Sequence, residues 1–141
     1  MFSKGNPEHV VLGEELEKTK SYIQSHADEA AVSPDNIDTL VFGSTNMIEF
    51  LNKFDIKKDP LSHTRKHLYS VSREALELVL EKILPLSYKE RMELYPEEPY
   101  FMWACDRLIL NVLEIAKRLG IKNIVPSNEN ISGAIMNKLI L

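Results

Sequence analysis

Asp59, His63 and His67 are spaced so that, on a helix, one carboxylate and two imidazoles share a face. That is a three-ligand set for a divalent metal such as zinc. The intervening Thr64, Arg65 and Lys66 depart from the metalloprotease pattern, which puts Glu directly after the first His as general base, and their positive charge opposes a metal. The same residues also read as a solvated helix face with Asp59 as its N-cap. A small hydrolase or nuclease built on Asp59, His63 and His67, with or without a metal, is therefore the alternative reading; the main expectation is no catalytic residue, no metal and no cofactor.

Other chemistries fail on spacing. Di-metal helical bundles need Glu-x-x-His pairs, and the residues three before His9, His26, His63 and His67 are Asn6, Ile23, Pro60 and Thr64. The only His that follows an Arg is His67, two after Arg65, which is not the spacing of small helical ribonucleases of the HEPN type. Adjacent His-Asp, the mark of HD phosphohydrolases, does not occur. Val41, Phe42, Gly43 and Ser44 resemble the Gly-Ser turn of nucleotidyltransferases, where a strand delivers amides to phosphate at a helix start. The Asp-x-Asp metal ligands of that family are missing, and Asp55 and Asp59 stand four apart, so a glycine tolerated inside or kinking a helix is the simpler reading. Cys105 has Phe101, Met102, Leu108 and Ile109 at helical reach and no base, so its thiol reads as core rather than nucleophile.

The segment from Ser87 to Trp103 is different in kind. Tyr88, Tyr95, Tyr100 and Trp103 alternate with Glu90, Glu93, Glu97 and Glu98, and Pro96 and Pro99 stiffen the backbone between helices. Rigid aromatics bury much area at small entropic cost, and surrounding carboxylates steer a basic partner. Tyr88, Glu90, Glu93, Tyr95, Glu97, Glu98 and Tyr100 are the candidate partner-binding residues. An interhelical corner, with aromatics in the core and acids merely wet, is the competing reading. Glu14, Glu15 and Glu17 on the first helix make a second acidic face.

The elements that must position these residues read as helices. Asn6 and Pro7 open a first helix over Glu8 to Ala31, and Ser33 and Pro34 a second, from Pro34 to about Lys53. Asp59 and Pro60 start a third that Pro85 ends, with Ser70 and Ser72 as an interruption. Ser87 and Glu90 have capping-box spacing for a short helix stopped by Pro96. Pro99 to Gly120 carries the strictest 3.6-residue apolar period, and a final helix begins at Ser127. Residues 39–42 and 121–125 are β-branched and apolar enough to be short strands instead. The expected fold class is all-α, one compact bundle of five to six helices over residues 1–141.

Composition agrees with one globular domain: 141 residues, 44% hydrophobic and 27% charged. The start of the chain lacks a signal-like apolar run, no membrane span is visible, and the single cysteine allows no internal disulfide, so a cytoplasmic protein is expected. Net charge is −4, with eight acids against three bases up to Asp38 and seven against four from Val71 to Tyr100. Such blocks disfavour direct nucleic-acid binding, which needs clustered Lys and Arg.

In its small size, acidic blocks and Tyr/Glu-rich corner the chain resembles the bacterial immunity proteins that neutralise nuclease toxins, such as those of colicins and contact-dependent growth inhibition systems. The resemblance is one of class, carried by composition and helicity and by no motif. It implies an inhibitor that is not itself an enzyme and that covers the basic active-site cleft of a cognate nuclease. A homo-oligomeric regulatory bundle, suggested by apolar Leu139, Ile140 and Leu141, is a further alternative.

Overall fold

Apolar residues three and four apart make the helices of this protein, and short β-branched runs between them make a sheet. The computed structural model describes residues 12–29, 39–44, 46–61 and 68–128. In chain order these form α1 (Gly13–Glu29), β1 (Thr39–Gly43), α2 (Met47–Leu51), β2 (Asp59–Pro60), β3 (Tyr69–Ser72), α3 (Arg73–Ile83), α4 (Tyr88–Leu94), α5 (Pro99–Arg118) and β4 (Asn123–Ser127).

The sheet overturns the all-α expectation. Its order is β1-β4-β3-β2. β1 runs parallel to β4, from Thr39 beside Asn123 to Gly43 beside Ser127; β3 is antiparallel to both β4 and β2. The β3–β4 ladder covers only Asn123 and Ile124, and stops before Pro126, which has no N–H to give. Both segments that had strand-like alternatives, 39–42 and 121–125, are strands or run into one. The helical reading failed there because a short apolar run fits either period, and the partner that decides it lies far along the chain.

Two expected helices are rebuilt accordingly. The one over Pro34 to Lys53 is, in its described part, a strand, a turn with Asn46 at φ 70°, and the five residues of α2. The one from Asp59 is, in its described part, β2 and β3 before α3; Asp59 is a strand residue rather than an N-cap, and Pro60 sits on an edge strand, where proline is tolerated. Ser72 does not interrupt a helix but starts one, its hydroxyl accepting from the Ala75 amide at 3.1 Å. Ser127 belongs to β4, and the rest of the expected final helix lies outside the described residues, as do the Asn6–Pro7 and Ser33–Pro34 starts.

α5 is the axis of the core, as its period indicated. Gly120 takes φ 68°, and the amides of Gly120 and Ile121 donate to the Lys117 and Ala116 carbonyls at 3.2 and 2.8 Å, a Schellman closure. Phe101, Met102, Cys105, Ile109, Val112, Leu113 and Ala116 are buried along it, against α1, α3 and α4. One face of the sheet, carrying Phe42, Tyr69, Val71 and Ile124, joins the same core. On the other face Val41, on the edge strand, is 63% exposed. Among the described residues no helix is long and apolar enough to cross a membrane.

Candidate functional site

The corner between α4 and α5 is built by local rules. Ser87 and Glu90 close the capping box expected of them: the Ser87 amide and hydroxyl both donate to the Glu90 carboxylate at 2.8 Å, and the Glu90 amide returns to Ser87 Oγ. Those bonds hold the Glu90 carboxyl below its ordinary pKa. Pro99 then begins α5.

Inside the corner, Arg91 on α4 meets Asp106 on α5, Nη1 to Oδ1 at 2.9 Å, with the side chains 1% and 2% exposed. The contact has the distance of an ion pair without the alignment of a hydrogen bond: among the described residues Arg91 Nε and Nη1 find no hydrogen-bond partner. Asp106 Oδ1 also accepts the Arg107 amide at 2.9 Å. Cys105 is fully buried beside the pair, and burial, followed by the Asp106 carboxylate, pushes its thiol up to about 12. A thiol so held is not a nucleophile at neutral pH.

Tyr95 is buried rather than presented. Its ring stands edge-on to Phe101, centroids 6.5 Å apart, and Phe101 packs in turn on Phe50 at 5.1 Å. Lys53 Nζ lies 4.4 Å from the centre of the Tyr95 ring. Burial raises the Tyr95 hydroxyl pKa, and the carboxylates of Glu98, Glu49 and Glu97 raise it further, so three acids converge near this ring.

The other candidates form the outer surface. Tyr100 is 89% exposed and Trp103 41%. With Tyr88 and Pro99 they line an almost wholly apolar hollow of about 350 Å³. Arg107 lies 5.6 Å from the Trp103 ring and donates to the Trp103 carbonyl at 3.0 Å. Glu93 and Glu97 are exposed, and Glu98 is half-buried at the start of α5. The structure therefore brings Tyr88, Glu98 and Tyr100 to one surface with Glu93 and Glu97 exposed on the same corner, while Glu90 serves as a cap and Tyr95 as a support. Pro99 and Trp103 are additions to the candidate set. The sequence places Trp103 in the same aromatic segment; its spacing of three from Tyr100 on α5, which puts both rings on one helix face, is the signal that joins the two.

The remaining candidates are dispersed. Asp59 is exposed on β2 and pairs with Lys57 at 3.0 Å; His63 and His67 lie outside the described residues. Among the described residues no group of three or more His, Cys, Asp and Glu is arranged to hold a metal. Gly43 and Ser44 do end a strand before a helix, as in the nucleotide turn, but Glu49 in the first turn of α2 puts a carboxylate where phosphate would need attraction. On α1, Glu14 and Glu17 are paired with Lys18 and Lys20 at 2.7 and 2.8 Å, which reduces the acidity of that second face. No protein-family model matches the sequence, and no curated protein is found to resemble it.

Proposed function

We propose that this protein acts by binding a basic protein through the Tyr88–Trp103 corner, in the manner of an immunity protein that covers the active-site cleft of a nuclease. The observation that carries this is Tyr100: a large aromatic ring almost wholly in solvent, beside an apolar hollow and flanked by carboxylates. Leaving such a ring in water gives the isolated protein nothing, whereas a rigid Tyr or Trp buried at an interface centre contributes about 2 kcal/mol or more.

Between Ser87 and Trp103 there are four acids and two bases, and one of the bases, Arg91, is withdrawn into the core and neutralised by Asp106. A partner with clustered Lys and Arg, as a nucleic-acid enzyme must have, is the complement.

The test is co-expression with the products of adjacent genes, then calorimetry and a nuclease assay on the purified complex. Tyr100→Ala with Trp103→Ala should weaken binding at least about 30-fold, the equivalent of one hot spot. Glu97→Lys with Glu98→Lys should slow association and leave little salt dependence. Undiminished binding by the aromatic double variant refutes this face, and a stoichiometric complex that still cuts nucleic acid refutes the inhibitor role.

A further inference from the structure

The hollow beside Tyr100 is walled by Tyr88, Tyr100, Trp103 and Pro99, with no aliphatic side chain among them. Two helices hold it rigid. Tyr88 opens α4 next to the Ser87 capping box, Pro99 and the other two rings stand at the start of α5, and the buried contact of Arg91 with Asp106 ties the helices together beneath. Among the described residues no other ring packs on Tyr88, Tyr100 or Trp103; the ring pairs are Tyr22 with His26 and the series Phe54, Phe50, Phe101, Tyr95. Among the same residues, neither tyrosine hydroxyl nor the Trp103 indole N–H has a hydrogen-bond partner. An apolar hollow is thus fringed by three free donors.

Ring walls with donors at their rim suit a segment that offers apolar rings and open carbonyl oxygens together. A polyproline II segment does so: it has no internal hydrogen bonds, and its proline rings are stiff hydrocarbon that loses little entropy on docking. A helix would bring an apolar face whose carbonyls are already bonded, and an added β-strand needs an edge of backbone amides, which walls of side chains lack. The dimensions agree. At 1.5 Å per residue of α5 against about 3.1 Å per residue of polyproline II, Tyr100 and Trp103 are about 4.5 Å apart along the helix and span one to two residues of the guest, and the roughly 13.5 Å from Glu98 to Arg107 holds about four. The two ends of that stretch differ in charge. Glu97 and Glu98 precede Pro99, whereas Arg107 stands one turn beyond Trp103, 5.6 Å from its ring.

We propose that this hollow receives a short proline-rich segment of the protein partner in the polyproline II conformation, with its prolines against the three rings and a basic residue at the Glu97 and Glu98 end. The inference rests on the binding-face reading. It adds that the central contact is made by an extended segment of the partner rather than by a folded surface.

The hollow is tested without the partner. Trp103 is the only tryptophan of the chain, so its fluorescence reports from inside the hollow. The full chain is titrated with two acetylated and amidated peptides, one with an arginine before a run of prolines and one with an arginine after it, and with the same pair built on alanine. At least one proline peptide should shift the emission saturably and bind about tenfold or more tighter than its alanine counterpart. Tyr100→Ala should weaken that peptide at least about tenfold while keeping the parent's urea midpoint, since the ring is almost wholly in solvent. Glu97→Gln with Glu98→Gln should weaken it about threefold at low salt and leave an uncharged proline peptide unaffected. No saturable shift, equal affinity for proline and alanine peptides, or parent affinity in Tyr100→Ala would overturn the proposal; an unchanged affinity in the glutamine variant would overturn the place given to the basic residue. The outcome is separable from that of the binding face: failure here leaves partner capture by Tyr100 and Trp103 standing, and failure of that capture does not touch this titration.

Discussion

Removing the carboxylate of Asp106 should be among the most damaging single changes available to this protein, and removing its partner at the same time should undo most of the damage. Arg91 and Asp106 are both almost completely out of water, 2.9 Å apart. Asp106→Ala leaves a guanidinium buried with no counter-charge, and breaking such a pair costs about 3–5 kcal/mol. The Arg107 amide, which donates to Asp106, loses an acceptor as well. Against a total stability of about 5–15 kcal/mol for a domain, that is a loss of roughly 10–20 °C in melting temperature. The pair is not well satisfied even when intact, since Nε and Nη1 of Arg91 are buried without an aligned acceptor among the described residues. Arg91→Met with Asp106→Leu should therefore lie within about 1 kcal/mol of the parent protein, because well-packed apolar replacements of a buried pair are often neutral or better. Urea unfolding of the parent, Arg91→Met, Asp106→Leu and the double variant gives the coupling directly, with Asp106→Ala measured beside them. A double variant as unstable as the sum of the single ones, or an Asp106→Ala loss below about 1 kcal/mol, would refute this account of the corner.

Two further outcomes follow from groups already described. Burial holds the Cys105 thiol neutral up to about 12 against an ordinary value of 9.0, so the folded protein keeps a proton that the unfolded chain releases. Its contribution is complete below pH 9 and falls by about 1.4 kcal/mol per pH unit above it; Tyr69, raised to about 12 by burial and then by Glu49, adds to the loss from pH 10. A urea midpoint unchanged between pH 8 and 10.5, or a slope unaltered by Cys105→Ala, would contradict this. Gly120→Ala should cost about 1 kcal/mol in the same unfolding assay: a Cβ there meets nothing within 4 Å, so the whole penalty comes from the left-handed φ. A loss-free variant would mean that the helix end rearranges.

The parts of the fold that local chemistry specifies were legible. The Ser87 box, Pro99 and the stripe of α5 each carry their own signal, and each stands where it was expected. The sheet was not legible, because its pairings join Thr39 to Asn123 and Val71 to Ile124, and nothing in either partner's neighbourhood names the other. Asp59 and Pro60 imitate a helix start for the same reason: proline fixes φ for a first turn and is equally at home on an edge strand. For the site, composition found the corner but could not sort its members. Glu90 and Glu93 are both acids of one short helix, yet one is engaged as a cap; Tyr95 and Tyr100 flank the same proline turn, yet one packs on Phe101 and the other faces water.

The place of β4 sets an order of events at the ribosome. It is the last described element, yet among the described residues it is the strand that lies between β1 and β3 and joins them. At about 5–20 residues per second, the stretch from β1 to β4 takes roughly 4–17 seconds to make, and all that time the uncharged run Thr39–Gly43 is without its parallel neighbour. Helices α3, α4 and α5 can collapse on one another meanwhile, since their contacts are local. The nascent chain thus spends seconds with a loose apolar strand, although α5 ends only nine residues before β4 does and the helical cluster around it precedes β4 by about 0.5–2 seconds, the interval in which the strand has a core to dock on but no parallel neighbour.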